Sequence, residues 1–385
     1  MTVTQTLTAR QAIERRKRRL IDTTSTEIFA TTDFNIIIRA MHIIDQRILK
    51  MALLAAATAA TAAIARGETG NSSYEFLNIP TSAQAYGLGG TAIALIDDDV
   101  ALADQNPALL GPEIESQISV GYMHYMGSGN FAGVRFGMGA GEHSAWAAGI
   151  RYLNFGSLTQ YDPSGVAGGT FTPSDIVFEG SYSRDITDRW RGGVNLGMIY
   201  SHYDVYTAFA ISVDLGVNYY DEEHDLSLSM VLKNAGGQVK RFETAYNRLP
   251  FDVQLGYMQG LGHTPFSLAI TARHLTHWNL PYYVHSSDSD GSVQEMKSTF
   301  ISNFFRHLTF GLRYQPSEKL WLSLGYDNKT ATDMGTYHRS FFSGFSVGAG
   351  LKVRGFGVGV AFAQPHKSAS TLMLNLNCNF WELMN

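Results

Sequence analysis

Ala210-Ile211-Ser212-Val213-Asp214-Leu215-Gly216-Val217-Asn218-Tyr219 decides the fold. Ile211, Val213, Leu215, Val217 and Tyr219 share one parity, and Ser212, Asp214, Gly216 and Asn218 share the other. A period of two puts the first set on one side of a pleated strand and the second set on the opposite side. The same pattern recurs at Leu226-Leu228-Met230-Leu232, where Val231 is the one exception, at Leu320-Leu322-Leu324-Tyr326 and at Leu372-Leu374-Leu376-Phe380. A slip of one residue would turn every Asn, Asp and Lys to the apolar side, so the pattern fixes the pairing.

From Ser116 to Phe380 fourteen such segments follow one another. The links after segments three, seven, nine and eleven are long (156–173, 235–249, 276–299 and 328–339), and every even-numbered link is a tight turn. Sorting by parity is the mark of an antiparallel transmembrane barrel, whose periplasmic turns are short and whose outer loops are long. The expected fold is therefore all-β: a 14-stranded antiparallel transmembrane β-barrel over 116–381 with both chain ends periplasmic. Composition agrees. Charged residues are 16%, below the roughly 25% of soluble domains. Beyond position 65 no run of about eighteen apolar residues occurs, which excludes a helical membrane protein.

Residues 41–65 read as a secretory signal peptide: Arg47 and Lys50, then an Ala- and Leu-rich core, then Ala63-Ile64-Ala65 as a small-residue cleavage site. Residues 1–65 are thus expected to be leader and signal, with Met41 as the start. The remaining 320 residues hold 20 basic and 29 acidic groups, a net charge of −9, which argues against nucleic acid as a partner. Cys378 stands alone and is read as a small apolar residue of the last strand.

Residues 66–115 have a different texture. Ala85-Tyr86-Gly87-Leu88-Gly89-Gly90-Thr91-Ala92 is followed by Asp97-Asp98-Asp99 and by Asn106-Pro107-Ala108-Leu109-Leu110. Eight acids face one base, Arg66, a net −7 in fifty residues. By alternation Arg135, Arg151, Lys233, Arg273, Arg313 and Lys352 point into the barrel, against Glu179, Asp214 and Asp252, a net +3. Buried charges need partners. The acidic segment is therefore expected to fold into the basic lumen as a hatch, with Gly87, Gly89, Gly90, the three aspartates and Asn106-Pro107-Ala108 as its characteristic residues.

These hatch motifs resemble the N-terminal hatch of FadL-type outer-membrane barrels, which are fourteen-stranded. Phe76 to Leu110 resembles more closely the PorQ family of barrels in the type IX secretion system. So does Gly169 to Tyr220, with Tyr182-Ser183-Arg184, Asn195-Leu196, Ile199-Tyr200-Ser201 and Asp214-Leu215-Gly216. Leu109 departs from the glycine that many FadL relatives carry after Asn-Pro-Ala. The chain also extends over 382–385 beyond Trp381, where barrels often stop on an aromatic, leaving Phe380 as the candidate assembly signal.

No constellation for chemistry emerges, so neither an enzyme nor a cofactor is expected. His274 and His277 have metal-like spacing, but zinc wants three or four convergent ligands. Asp97-Asp98-Asp99 offers oxygens suited to calcium, and pairing with lumenal Arg and Lys is the competing reading. There is no Gly-x-Ser-x-Gly elbow, and Gly168-Gly169 lacks the context of a phosphate loop. Trp146, Tyr152, Tyr182, Tyr219 and Tyr326 read as a lipid-facing girdle.

Two functions remain. The PorQ resemblance implies an outer-membrane member of the complex that attaches exported proteins to surface lipopolysaccharide. Its partners there would be a sortase-like peptidase, a second barrel and a soluble surface component. The FadL resemblance implies a channel for hydrophobic small molecules, which needs an apolar groove among the outer loops. Residues 284–299 and 328–339 are polar, which favours a partner surface.

Overall fold

The computed structural model describes residues 74–384, apart from 126, 163, 244–245, 281, 286–292, 297–298, 334–341 and 367–368. The expected leader and signal (1–65), the first residues of the hatch (66–73), Asn385 and parts of the long links lie outside the described residues.

Fourteen strands close into one antiparallel barrel. They are β1 (Gln117–His124), β2 (Asn130–Gly139), β3 (Ser144–Asn154), β6 (Ser174–Asp185), β7 (Trp190–Tyr203), β8 (Tyr206–Asp221), β9 (Leu226–Lys240) and β10 (Asp252–Gly260). The circle continues through β11 (Phe266–Ala272), β14 (Leu308–Ser317), β15 (Leu320–Asp327), β16 (Phe345–Val353), β17 (Phe356–His366) and β18 (Ala369–Asn379), which pairs back onto β1. Two hairpins stand in the long links: β4 (Leu158–Tyr161) with β5 (Ala167–Phe171), and β12 (Tyr282–His285) with β13 (Val293–Met296). Long links need such internal pairing, because their backbone polar groups have no barrel neighbour.

Link lengths follow the parity read from the sequence. The long ones are 155–173, 241–251, 273–307 and 328–344, and the remaining nine are two to five residues. Exposure alternates along the strands, with Leu228, Leu324, Leu374 and Leu376 outside and Ser229, Ser323 and Asn375 inside. An apolar exterior with a fully paired backbone is what hydrocarbon requires.

Several boundaries differ from the sequence reading, and the last strand ends at Asn379 rather than reaching Phe380. The link expected over 235–249 begins at 241, because β9 continues through a bulge. Val213 pairs with Ala235 and Leu215 with Leu232, so Lys233 and Asn234 together face Asp214. The extra residue ends the visible alternation without ending the strand. The tenth strand does not begin at Phe300. Phe300–Arg306 is a helix, α2, capped by the Thr299 hydroxyl accepting from Ser302 N at 3.3 Å. Phe300, Ile301, Phe304 and Phe305 have helical spacing, and strand β14 starts only at Leu308. The link expected to end at 339 runs to 344 and opens with helix α3, Asn328–Asp333. After β18 the chain ends in helix α4, Phe380–Met384.

Candidate functional site

Residues 74–115 thread the barrel interior. They start with a turn of 3-10 helix at Glu75–Asn78, and helix α1 follows at Ala83–Gly87. Gly89 and Gly90 then take φ of +101° and +83°, the left-handed region that glycine enters at no steric cost. The two remaining turns are capped by the acidic and amide side chains of the motifs. Asp99 accepts from Ala101 N at 2.9 Å, and Asn106 accepts from Ala108 N at 2.9 Å, with Pro107 at the first helical position. Proline suits that position because its missing N–H would have no partner there. Asn106 also donates to Ile93 O at 2.9 Å and to Ser229 Oγ at 3.1 Å, tying the turn to the wall.

Bare wall lies at several points where hatch backbone passes. A methyl on Gly325 would stand 2.1 Å from Gly89 N, on Gly193 2.4 Å from the Pro107 carbonyl carbon, and on Gly121 2.5 Å from Thr81 O. Ser346 adds a two-way clasp: its hydroxyl donates to Gly87 O at 3.1 Å and accepts from Gly89 N at 3.0 Å. Gly121, Gly193 and Gly325 are thus the imprint of the hatch on the barrel.

The interior is layered. Toward the long-link ends of β1 to β8, Met123, Phe131, Leu153, Val177, Ile199 and Ala210 point inward and close on Tyr74, Phe76, Leu77 and Ile79 of the hatch. One inward step deeper the chemistry changes: Arg151 follows Leu153, and Glu179 follows Val177. Glu179 accepts from Arg151 Nη2 at 2.5 Å and from Arg135. Arg151 Nη1 also donates to the hatch carbonyls Leu77 O at 3.0 Å and Ile79 O at 3.3 Å. A chain of bonds continues through Arg135, Ser181, Asn195 and Asp214 to Asn234, whose amide donates to Asn78 of the hatch at 3.2 Å. Lys233 lies in the field of Asp214 and of hatch Asp104.

The three aspartates diverge rather than converge. Asp97 accepts from Arg313, and Asp98 accepts from Lys352 Nζ at 3.1 Å. Among the described residues Asp99 meets no base; the Ser82 hydroxyl donates to it at 2.7 Å. Burial pushes its carboxyl up to about 6, against the lowering effect of the Ser82 and Ala101 bonds. This divergence leaves no calcium cage among them. Two other charged hatch contacts escaped the sequence reading. Asp104 accepts from Thr81 N at 2.7 Å and Thr81 Oγ1 at 2.6 Å, and Glu113 pairs with Arg191 at 3.1 Å. Arg191 has the inward parity of Asn195 on β7. Several of the charges read as inward bond among the barrel's own residues instead, as Arg135 does with Glu179 and Asp214 does with Asn195. Arg273 pairs with Asp327 at 2.9 Å, and Asp252 accepts from His274 N and Gln254 Nε2, both at 3.0 Å.

The histidine pair holds no metal geometry. Burial, then Arg273 and Lys329, push the His274 ring down to about 2, and His277 bonds Thr276 at 2.9 Å. Among the described residues Asp221, Glu223 and His224 do converge on one short turn. There the Asp221 carboxylate is already engaged by His224 at 3.0 Å and Arg189 at 3.5 Å.

No family model and no curated protein matches the chain. Among solved structures, a deltaS2S3 mutant of the TodX monoaromatic hydrocarbon channel aligns with a TM-score of 0.50 at 12% identity. The alignment covers 78% of this chain and 99% of that one. The Ralstonia pickettii toluene transporter TbuX aligns with a TM-score of 0.49 at 13% identity, covering 78% and 98%. A Pseudomonas aeruginosa FadL homologue aligns with a TM-score of 0.46 at 11% identity, also covering 78% and 98%. At such identities the likeness is one of fold. The chain shares with the TodX channel the fold of a closed antiparallel barrel.

Proposed function

We propose that this protein is a non-enzymatic outer-membrane component of a type IX secretion system, of the PorQ kind, acting where exported proteins are attached to the cell surface. The observation that carries the reading is the seal. The wall is paired all the way round, and the hatch is pressed into its inward glycines and bonded to its charges. A barrel closed in this way serves as a scaffold whose rims meet other proteins. The segments that resemble PorQ are the hatch and 169–220, and the latter supplies Glu179 and Asp214 to the charged layer. In this reading the long links face outward and both chain ends are periplasmic. The partners are a sortase-like peptidase, a second barrel and a soluble surface component, in contact with lipopolysaccharide.

A second reading is favoured by a different observation. The apolar layer at the long-link end, with Phe131, Leu153, Val177 and Ile199 against Tyr74 and Phe76, suits a hydrophobic solute entering from outside. Under that reading the protein is a FadL-like uptake channel, and the hatch must move for transport.

A deletion strain separates the two. Loss of attachment or processing of exported proteins, with uptake of hydrophobic nutrients intact, is the expected result. Normal surface attachment together with failed uptake of a hydrophobic nutrient would replace the first reading by the second.

A further inference from the structure

Helix α2 is built inside out. Phe300 and Ile301 are 70% and 68% exposed, and Phe304 and Phe305 are 43% and 42% exposed. At 100° per residue these four span one face of the helix. Asn303 and Arg306 point the other way and are buried. Asn303 donates to Trp278 O and accepts from Leu280 N at 3.0 Å. Arg306 reaches Thr332 and Asp333 of α3, the latter at 2.6 Å, and lies over the Tyr282 ring at 4.7 Å. A helix beside water has the opposite arrangement.

We infer that this face is immersed in lipid: α2 lies in the leaflet on the long-link side, with Phe300, Ile301, Phe304 and Phe305 among the acyl chains. The inference rests on the barrel spanning a membrane, not on either reading of its function.

Continuity with the barrel wall argues for lipid as the occupant. The helix passes through His307 directly into β14, where Leu308, Phe310, Leu312 and Tyr314 hold the partly exposed outward positions. Trp278 joins the two: its ring stacks on His307 at 5.0 Å and lies 5.3 Å from Phe300. Aromatic rings concentrate where membrane meets water. On the neighbouring strands Tyr326 and Phe345 pair at 4.7 Å, so the helix extends an aromatic girdle already present. A soluble partner's interface would bring a polar rim. Here Asn303 and Arg306 are turned inward and bonded within the chain. Arg306 is the one basic residue of α2, so this face offers nothing to a phosphate headgroup.

Site-directed spin labelling tests the inference on the full chain. In a Cys378→Ser background, Ile301→Cys and Phe304→Cys are labelled with a nitroxide and reconstituted into phosphatidylcholine vesicles. Leu374→Cys is the wall control and Val205→Cys, in a two-residue turn, is the water control. Only the heat-modifiable, folded fraction is measured. The expected result is high accessibility to oxygen and low accessibility to a water-soluble nickel chelate, grouping 301 and 304 with 374. Grouping with 205 would put the face in water and overturn the inference. Exclusion of both reagents would put protein on the face, a second copy in this preparation, and would overturn it equally.

Discussion

The two interior layers of this barrel solve the same packing problem with different chemistry. Toward the long links of β1 to β8, wall and hatch meet through Met123, Phe131, Leu153, Val177, Ile199 and Tyr74. One or two inward positions deeper lie Glu179, Arg135, Arg151, Asp214 and Lys233, all nearly inaccessible to water, with Arg151 bonded to the hatch. The difference lies in tolerance. Apolar contact is non-directional, and its cost scales with the volume removed. A buried charge is stable only while its partner is in place. The charged layer should therefore fix the register of the hatch, while the apolar layer fills space above it.

The sharpest way to break this comparison is Glu179→Gln. Two arginines lose their shared carboxylate in a dry interior, and removing one partner of such a pair costs about 3–5 kcal/mol. Urea titration of the folded, heat-resistant band should show a loss of that size, with Arg151 released from Leu77 O and Ile79 O. A loss under about 1 kcal/mol would mean that water reaches the site and that the layer is not dry.

Next in size is the response of Asp99. Burial holds its folded carboxyl at about 6, above the ordinary 3.8 of an exposed aspartate. For an acid raised in this way the closed hatch prefers the protonated form. Stability is full below the ordinary value and falls as pH rises toward the raised one. Hatch closure should therefore weaken by on the order of 1–3 kcal/mol between about pH 4 and pH 7. Asp99→Asn should flatten the slope and leave the hatch tighter at pH 7. Protease cleavage near Gly89-Gly90 across that range measures it, and an unchanged slope in the variant would assign the effect to another group.

The apolar layer should respond weakly to a small change. Ile199→Val removes one methylene from a fully buried position and should cost about 0.5–1.5 kcal/mol, with protection of Gly89-Gly90 unaltered. If the hatch loosens as much as in Glu179→Gln, the division of labour between the layers is wrong.

The strands were legible because a period of two survives whatever the lumen holds. The layers were legible only in part. Inward Arg, Lys and Glu stand out against apolar neighbours, so the charged layer could be read position by position. The apolar layer breaks the alternation instead. In Ile176-Val177-Phe178 and Met198-Ile199-Tyr200 both faces are apolar, and such triplets were the available signal for a lumen lined by carbon. The bulge at Lys233-Asn234 was marked only by Asn234, which takes φ of +55° and donates its backbone N–H to Asp214 on another strand. Helix α2 looked like strand because lipid-facing residues of either structure are apolar. Only the pairs 300–301 and 304–305, at helical spacing, distinguish them. The partners of the hatch acids were the least legible, since pairing across more than two hundred residues depends on closure of the barrel.

The smallest expected effect tests whether those acids act equally. Asp97 meets Arg313, whose side chain is 6% exposed, whereas Asp98 meets Lys352 across a pair that is 60% and 35% exposed. Ion pairs open to solvent are worth about 0–1 kcal/mol and are screened by salt. Asp98→Asn should therefore leave hatch protection nearly unchanged, and any loss should vanish in high salt. Asp97→Asn strips Arg313 of its carboxylate where water has little access, so its larger effect should persist at the same salt concentration. Protease protection of Gly89-Gly90 at low and high ionic strength compares the two directly. Equal effects with equal salt dependence would mean that the acids act through net charge alone. In that case the lumen attracts the hatch as a field, and the individual contacts seen here do not set its position.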